Sequence, residues 1–83
     1  MTVNEFESLP MVSLGVLEDI TGIERRRLRR QLLAEKVPVA KHGNKHVVAR
    51  AALKRIVPDF YEGILERLTI ETFRADRAAA GQE

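Results

Sequence analysis

Five arginines, Arg25, Arg26, Arg27, Arg29 and Arg30, occupy six consecutive positions broken only by Leu28. A guanidinium is always charged, planar and rich in donors, so a dense run of them suits bidentate contact with phosphate oxygens and base edges. Helical spacing makes the run usable. At 100° per residue Leu28 and Leu32 fall about 40° apart and anchor one face, with Ile23 leading in. Arg26 and Arg30 then lie nearly opposite that face, and Arg27 and Arg29 take its shoulders. A basic helix face that is merely solvated usually carries carboxylates at i±4 to relieve repulsion. Here Glu24 and Glu35 stand only at the ends, and the middle of the run is uncompensated.

A second basic group follows at Lys41, His42, Lys45 and His46. His42 and His46 are two imidazoles across a turn, with no cysteine and no carboxylate close by. That is a poor ligand set for a metal, so no cofactor or metal is expected. Contact with a phosphate backbone is the better use of these residues. Catalysis is not expected either: no nucleophile has a base partner, no glycine loop cradles phosphate, and no carboxylate pair is in view.

The net charge of +2 conceals a segregation. Residues 1–21 carry Glu5, Glu7, Glu18 and Asp19 with no base, whereas residues 22–57 carry eleven bases against Glu24 and Glu35, a net +9. Residues 58–83 return to −3, with six acids against Arg67, Arg74 and Arg77. A polyanion would meet the basic middle. At 83 residues the chain is one small domain with a thin core, for which association with a second copy would matter. There is no cysteine, hence no disulfide or thiolate site. No apolar run approaches a membrane span and residues 1–8 lack the cationic start of a signal peptide, so a cytoplasmic protein is expected.

The elements that position these groups can be placed in order. Residues 1–11 read as a polar N-terminal arm prone to fray, in which Phe6 and Leu9 tuck loosely, closed by Pro10. Ser13 is an N-cap for a short helix through Ile20, striped by Leu14, Leu17 and Ile20. Thr21-Gly22-Ile23 is a tight turn, glycine supplying the left-handed conformation, and the arginine helix restarts at once, running from Ile23 to Lys36. Beyond it, residues 37–41 and 46–49 alternate as short β-branched strands around His42-Gly43-Asn44-Lys45, a tight hairpin whose first strand is an edge that tolerates Pro38. A short helix over residues 50–57 ends at Pro58. Asp59 then starts a last helix, with Glu62 at capping-box spacing. On it Tyr61, Ile64, Leu65 and Leu68 form a core stripe, and Ile70 and Phe73 lie off that stripe between Glu66 and Arg77. The class is mainly α with a small β-hairpin.

Two helices joined by a glycine turn, then a basic hairpin, resemble the winged helix-turn-helix of MerR-type regulators and phage excisionases. That family opens its first helix and turn with a run close to S-I-G-E-L-A-K-L-T-G-V. Here it is Ser13-Leu14-Gly15-Val16-Leu17-Glu18-Asp19-Ile20-Thr21-Gly22-Ile23. The family's R-T-L-R is matched by Arg26-Arg27-Leu28-Arg29, and its basic wing by Lys41 to His46. Departures are Glu18 where a small residue usually packs between the helices, Val48 for the wing aromatic, Ala49 for the capping hydroxyl and Ala52 for an acid. Glu18 therefore implies either splayed helices or a side chain at the rim. The resemblance covers residues 12–57, with 58–83 as an added helix and tail too short for an effector domain.

The resulting expectation is a small double-stranded DNA-binding protein, an excisionase-like recombination accessory factor or a transcription regulator. Arg26, Arg27, Arg29 and Arg30 enter or border the major groove, Arg25 is a further DNA contact, and Lys41, His42, Lys45 and His46 serve the wing-side phosphates or minor groove. Ile70 and Phe73 are the expected contact for a homodimer, a cooperative array on DNA, or a protein partner such as a recombinase. A phage terminase small subunit is the nearest alternative, and an adaptor acting through the last helix is another. RNA readers of single strands rely on exposed stacking aromatics, which this chain lacks.

Overall fold

Thr2 begins the ordered chain with a reciprocal cap. Its hydroxyl accepts from the Glu5 N–H at 3.1 Å, while its own N–H donates to Glu5 Oε1 at 3.2 Å, opening helix α1 (Val3–Glu7). The computed structural model describes the backbone of residues 1–81 and the side chains of residues 1–71. Over that span the chain continues as β1 (Met11–Ser13), α2 (Leu14–Thr21), α3 (Arg25–Ala34), β2 (Ala40–His42), β3 (Lys45–Ala49), α4 (Arg50–Ile56) and α5 (Pro58–Gly81). It is mostly helical, with one small antiparallel sheet in the order β1-β3-β2.

The N-terminal segment departs from the expected frayed arm. Phe6 is fully buried and its ring lies 5.8 Å from that of Tyr61 on α5, tilted by 45°. Such a ring pair adds about 0.5–1.5 kcal/mol to the burial of Phe6, and together with the Thr2–Glu5 capping box this burial holds a five-residue helix that could not stand alone. Next comes a strand that the alternation of the later residues does not announce. Met11, Val12 and Ser13 pair with Ala49, Val48 and Val47, so the hairpin gains a third strand, and Val12 and Val48 bury side by side.

α2 and α3 meet through the turn that the sequence marks. Ser13 Oγ accepts from the Val16 N–H at 3.2 Å, capping α2. Gly22 leaves the helix at φ 74°, and the Thr21 hydroxyl donates to the Leu17 carbonyl at 2.7 Å while accepting from the Ile23 N–H at 3.2 Å. α3 is shorter than the expected residues 23–36. At its far end Lys36 stands at φ 65°, its N–H donating to the Leu33 carbonyl at 3.0 Å and that of Val37 to the Leu32 carbonyl at 2.9 Å. This is a Schellman closure. It turns Val37 inward to full burial, so the strand expected from residue 37 begins only at Ala40.

Leu14 and Leu17 of α2, Leu28 and Leu32 of α3, Leu53 of α4 and Tyr61, Ile64 and Leu68 of α5 complete the core with Phe6, Val12, Val37 and Val48. Each such side chain contributes about 1.5–3 kcal/mol by leaving water. The α5 stripe is the expected one, with Leu65 at its half-buried margin. Its start differs: Pro58 is the first helical residue and Asp59 sits inside the first turn, so no Asp59–Glu62 capping box forms. Proline suits that place because its missing N–H has no helical partner there. Arg50 locks the assembly. Its Nε donates to the Leu9 carbonyl at 2.9 Å, its Nη1 to the Tyr61 hydroxyl at 3.0 Å, and its backbone N–H to the Pro10 carbonyl at 3.1 Å. Ile70 is 51% exposed, whereas the side chains of Phe73 and Arg77 lie outside the described residues.

Candidate functional site

Leu28 and Leu32 press α3 onto the core, so the rest of its circumference is left to the arginines. All five are exposed, and among the described residues only Arg25 has an acidic partner. That partner is Glu18, whose side chain is one-third exposed at the rim of the α2–α3 junction. Glu18 Oε2 accepts the Arg25 backbone N–H at 2.9 Å and Oε1 accepts its Nε–H at 3.3 Å. The residue at the N-cap position, Glu24, makes no side-chain cap bond, so a carboxylate from the preceding helix caps α3. The rim alternative for Glu18 is therefore the observed one, and the helices need not splay.

Arg25, Arg26 and Arg29 share one side of α3, as spacings of three and four residues require. They line a cleft of about 460 Å³ whose other walls are the start of α2 and the tip of the β2–β3 hairpin. The N-cap Ser13 lines it together with Leu14, Gly15, Val16 and Asp19 of α2, and from the hairpin come Asn44, Lys45 and His46. The Arg25 guanidinium lies across α2 at Gly15, its carbon 3.4 Å from where a Cβ on that residue would sit. Arg27 and Arg30 are exposed but do not line the cleft.

The hairpin turns through Gly43 and Asn44. Gly43 has φ 64° and Asn44 has no positive φ, the arrangement of a type II′ turn. His42 pairs with Lys45 and Lys41 with His46 across the ladder. Opposed residues share a face and neighbouring pairs alternate, so the two histidines point to opposite faces of the hairpin and cannot close on one ion. Among the described residues no group of three or more His, Cys, Asp or Glu is placed to hold a metal. Lys45 and His46 both border the cleft at the hairpin tip, with their side chains on alternate faces of the strand; Lys41 and His42 are exposed outside it.

No family model, curated protein or solved structure matches the chain.

Six residues that line this cleft are not basic, and three of them are polar or small groups open to a ligand. Gly15 and Asp19 stand four apart on the outer face of α2, opposite Leu14 and Leu17, and Asn44 sits at the turn. Spacing alone could have flagged Gly15 and Asp19 as one face, but not that this face meets the arginines. A second cleft, of about 470 Å³, lies behind α3 between Leu28, Leu32, Glu35 and the α4–α5 junction at Ile56, Asp59 and Phe60. Among the described residues no helix is long and apolar enough to cross a membrane.

Proposed function

We propose that this protein binds double-stranded DNA as a winged helix-turn-helix, with α2 and α3 as the helix pair and the β2–β3 hairpin as the wing. The supporting observation is that Arg26 and Arg29 of α3 and the hairpin tip at Lys45 and His46 border the same cleft, none of the four having an acidic partner among the described residues. Two cationic elements from different parts of the chain thus share one side of the molecule. α3 spans about 15 Å over its ten residues, a length that can lie in a major groove about 12 Å wide. The hairpin then meets the flanking backbone. Within this reading the roles that fit are an excisionase-like recombination accessory factor or a transcription regulator, with DNA marking for phage packaging as the neighbouring use of the same surface.

Duplex binding followed over a salt titration tests the proposal. If one protomer neutralises roughly four to six phosphates, the log–log slope is about −4 to −5. A protein that binds no duplex at low salt, or binds with no salt dependence, does not work this way.

A further inference from the structure

Asp19 is the anomaly of the basic cleft. It is exposed on the wall opposite Arg26 and Arg29, and among the described residues no hydrogen bond or ion pair engages its carboxylate. Its neighbour Glu18 already caps α3 and holds Arg25, so Asp19 is not needed to fix an arginine. A carboxylate on a surface that meets phosphates opposes binding by like-charge repulsion. Its place in the cleft makes chemical sense if it accepts a hydrogen bond from a group that DNA offers as a donor.

In the major groove such donors are the exocyclic amino groups of cytosine and adenine. On adenine the amino group is flanked by the N7 acceptor, whose lone pair repels a carboxylate, whereas cytosine presents only a C–H beside its N4. The pairing base completes the pattern. Guanine offers O6 and N7 together, the preferred partners of an arginine fork, and Arg26 and Arg29 line the cleft that Asp19 lines. Resting on the DNA-binding reading above, we infer that Asp19 is a specificity residue that reads a cytosine N4 amino group, beside an Arg26 or Arg29 contact to guanine. The protein therefore selects a C·G pair in one orientation at that point of its site. The acid also lowers affinity for all other sequences, so it works by penalising the wrong base as well as by rewarding the right one.

Selection from a randomised duplex library, with the wild type, Asp19→Ala and Asp19→Asn run in parallel, tests the inference. The wild type is expected to enrich a C·G pair at one position. Asp19→Ala loses that preference by roughly 5- to 150-fold, which corresponds to one base contact, and binds unrelated duplexes more tightly. Asp19→Asn shifts the preference toward adenine, since an amide can donate to N7 and accept from N6. Thermal melting should be unchanged in both variants because the side chain is exposed. Tighter binding by Asp19→Ala to every sequence, with the same enriched motif as wild type, overturns the inference and leaves DNA binding intact. A wild type that binds duplexes without enriching any motif also overturns it. A wild type that binds no duplex at all removes the DNA-binding reading and this inference with it.

Discussion

Glu18 caps a helix to which it does not belong: its Oε2 accepts the backbone N–H of Arg25, seven residues on, at 2.9 Å. The consequence is positional. The first turn of α3 is tied to the last turns of α2, so the arginine side chains inherit their bearing from a packed helix rather than from a free turn. The ion pair itself matters less than the cap, because the Arg25 side chain is 65% exposed and screening weakens exposed pairs. Glu18→Ala should therefore cost about 0.5–2 kcal/mol, the range for losing an N-cap. Glu18→Gln, which keeps an acceptor without the charge, should cost less. Urea unfolding of the three proteins checks the order; equal losses would mean that charge, not capping, is what Glu18 supplies.

Lys36 offers a stabilising change. It is the one non-glycine residue with positive φ among those described, and a Cβ in that conformation costs roughly 1–2 kcal/mol. Glycine removes that strain but brings back backbone entropy of about 0.5–1 kcal/mol. Lys36→Gly should gain about 0.5–1 kcal/mol, raising Tm without altering the sequence preference of the cleft. A lower Tm would show that the left-handed position is relaxed by contacts of the lysine stem.

Arg50 is basic but belongs to the frame. It bridges the Leu9 carbonyl, before β1, to the Tyr61 hydroxyl on α5. Arg50→Met keeps bulk yet leaves a half-buried carbonyl and a buried hydroxyl without this donor, at a cost of about 1–3 kcal/mol. Tyr61→Phe should cost less. The double variant should lose less than the sum of the two, a coupling that a double-mutant cycle measures. Strict additivity would mean that the two groups act independently.

Much of the frame could be read from residue types. Ser13 caps, Gly22 turns, Leu28 and Leu32 anchor the arginine helix, Gly43 turns the hairpin, and Tyr61, Ile64 and Leu68 run down one stripe because these signals act within a few residues. What escaped acts across distance or through too few residues to show a period. β1 has three residues, and only pairing with β3 makes them a strand. Phe6 is a lone aromatic whose burial is decided by Tyr61, far along the chain. Lys36 in a left-handed closure has no residue-type signal, which is why the first hairpin strand starts later than alternation suggests. In the cleft, both basic runs were visible from charge, whereas Gly15 and Asp19 join it only through the crossing of α2 and α3.

If the protein binds DNA as proposed, the position of each arginine around α3 separates readout from attraction. Arg26→Ala should cost about 1–3 kcal/mol on a preferred duplex and relax sequence preference, because Arg26 lines the cleft. Arg30, which lies outside the cleft, and Lys45, which borders it from the hairpin tip rather than from α3, should behave as phosphate contacts: replacing either by alanine weakens all sequences alike and reduces the salt slope by about one unit. Binding titrations on a preferred and a scrambled duplex distinguish the two patterns. Sequence-blind losses at all three positions would mean that the helix positions the protein and reads nothing.

Ile70 tests how so small a protein reaches useful affinity. A single module of this kind buries only about 600–1,000 Å² on DNA, and two linked copies raise effective concentration without new contacts on either site. α5 continues past Leu68, the last of its residues known to be buried, and Ile70 is 51% exposed there. An exposed isoleucine does little for its own domain, so Ile70→Ser should change stability by no more than about 0.5 kcal/mol. If α5 mediates a two-fold contact between copies, the same change abolishes cooperative binding to a duplex carrying two sites and shifts sedimentation toward the monomer. Phe73→Ser, one turn further along the helix, should act in the same direction. Intact cooperativity in both variants would take the contact away from α5. A fall in Tm with cooperativity preserved would assign these residues to the fold instead.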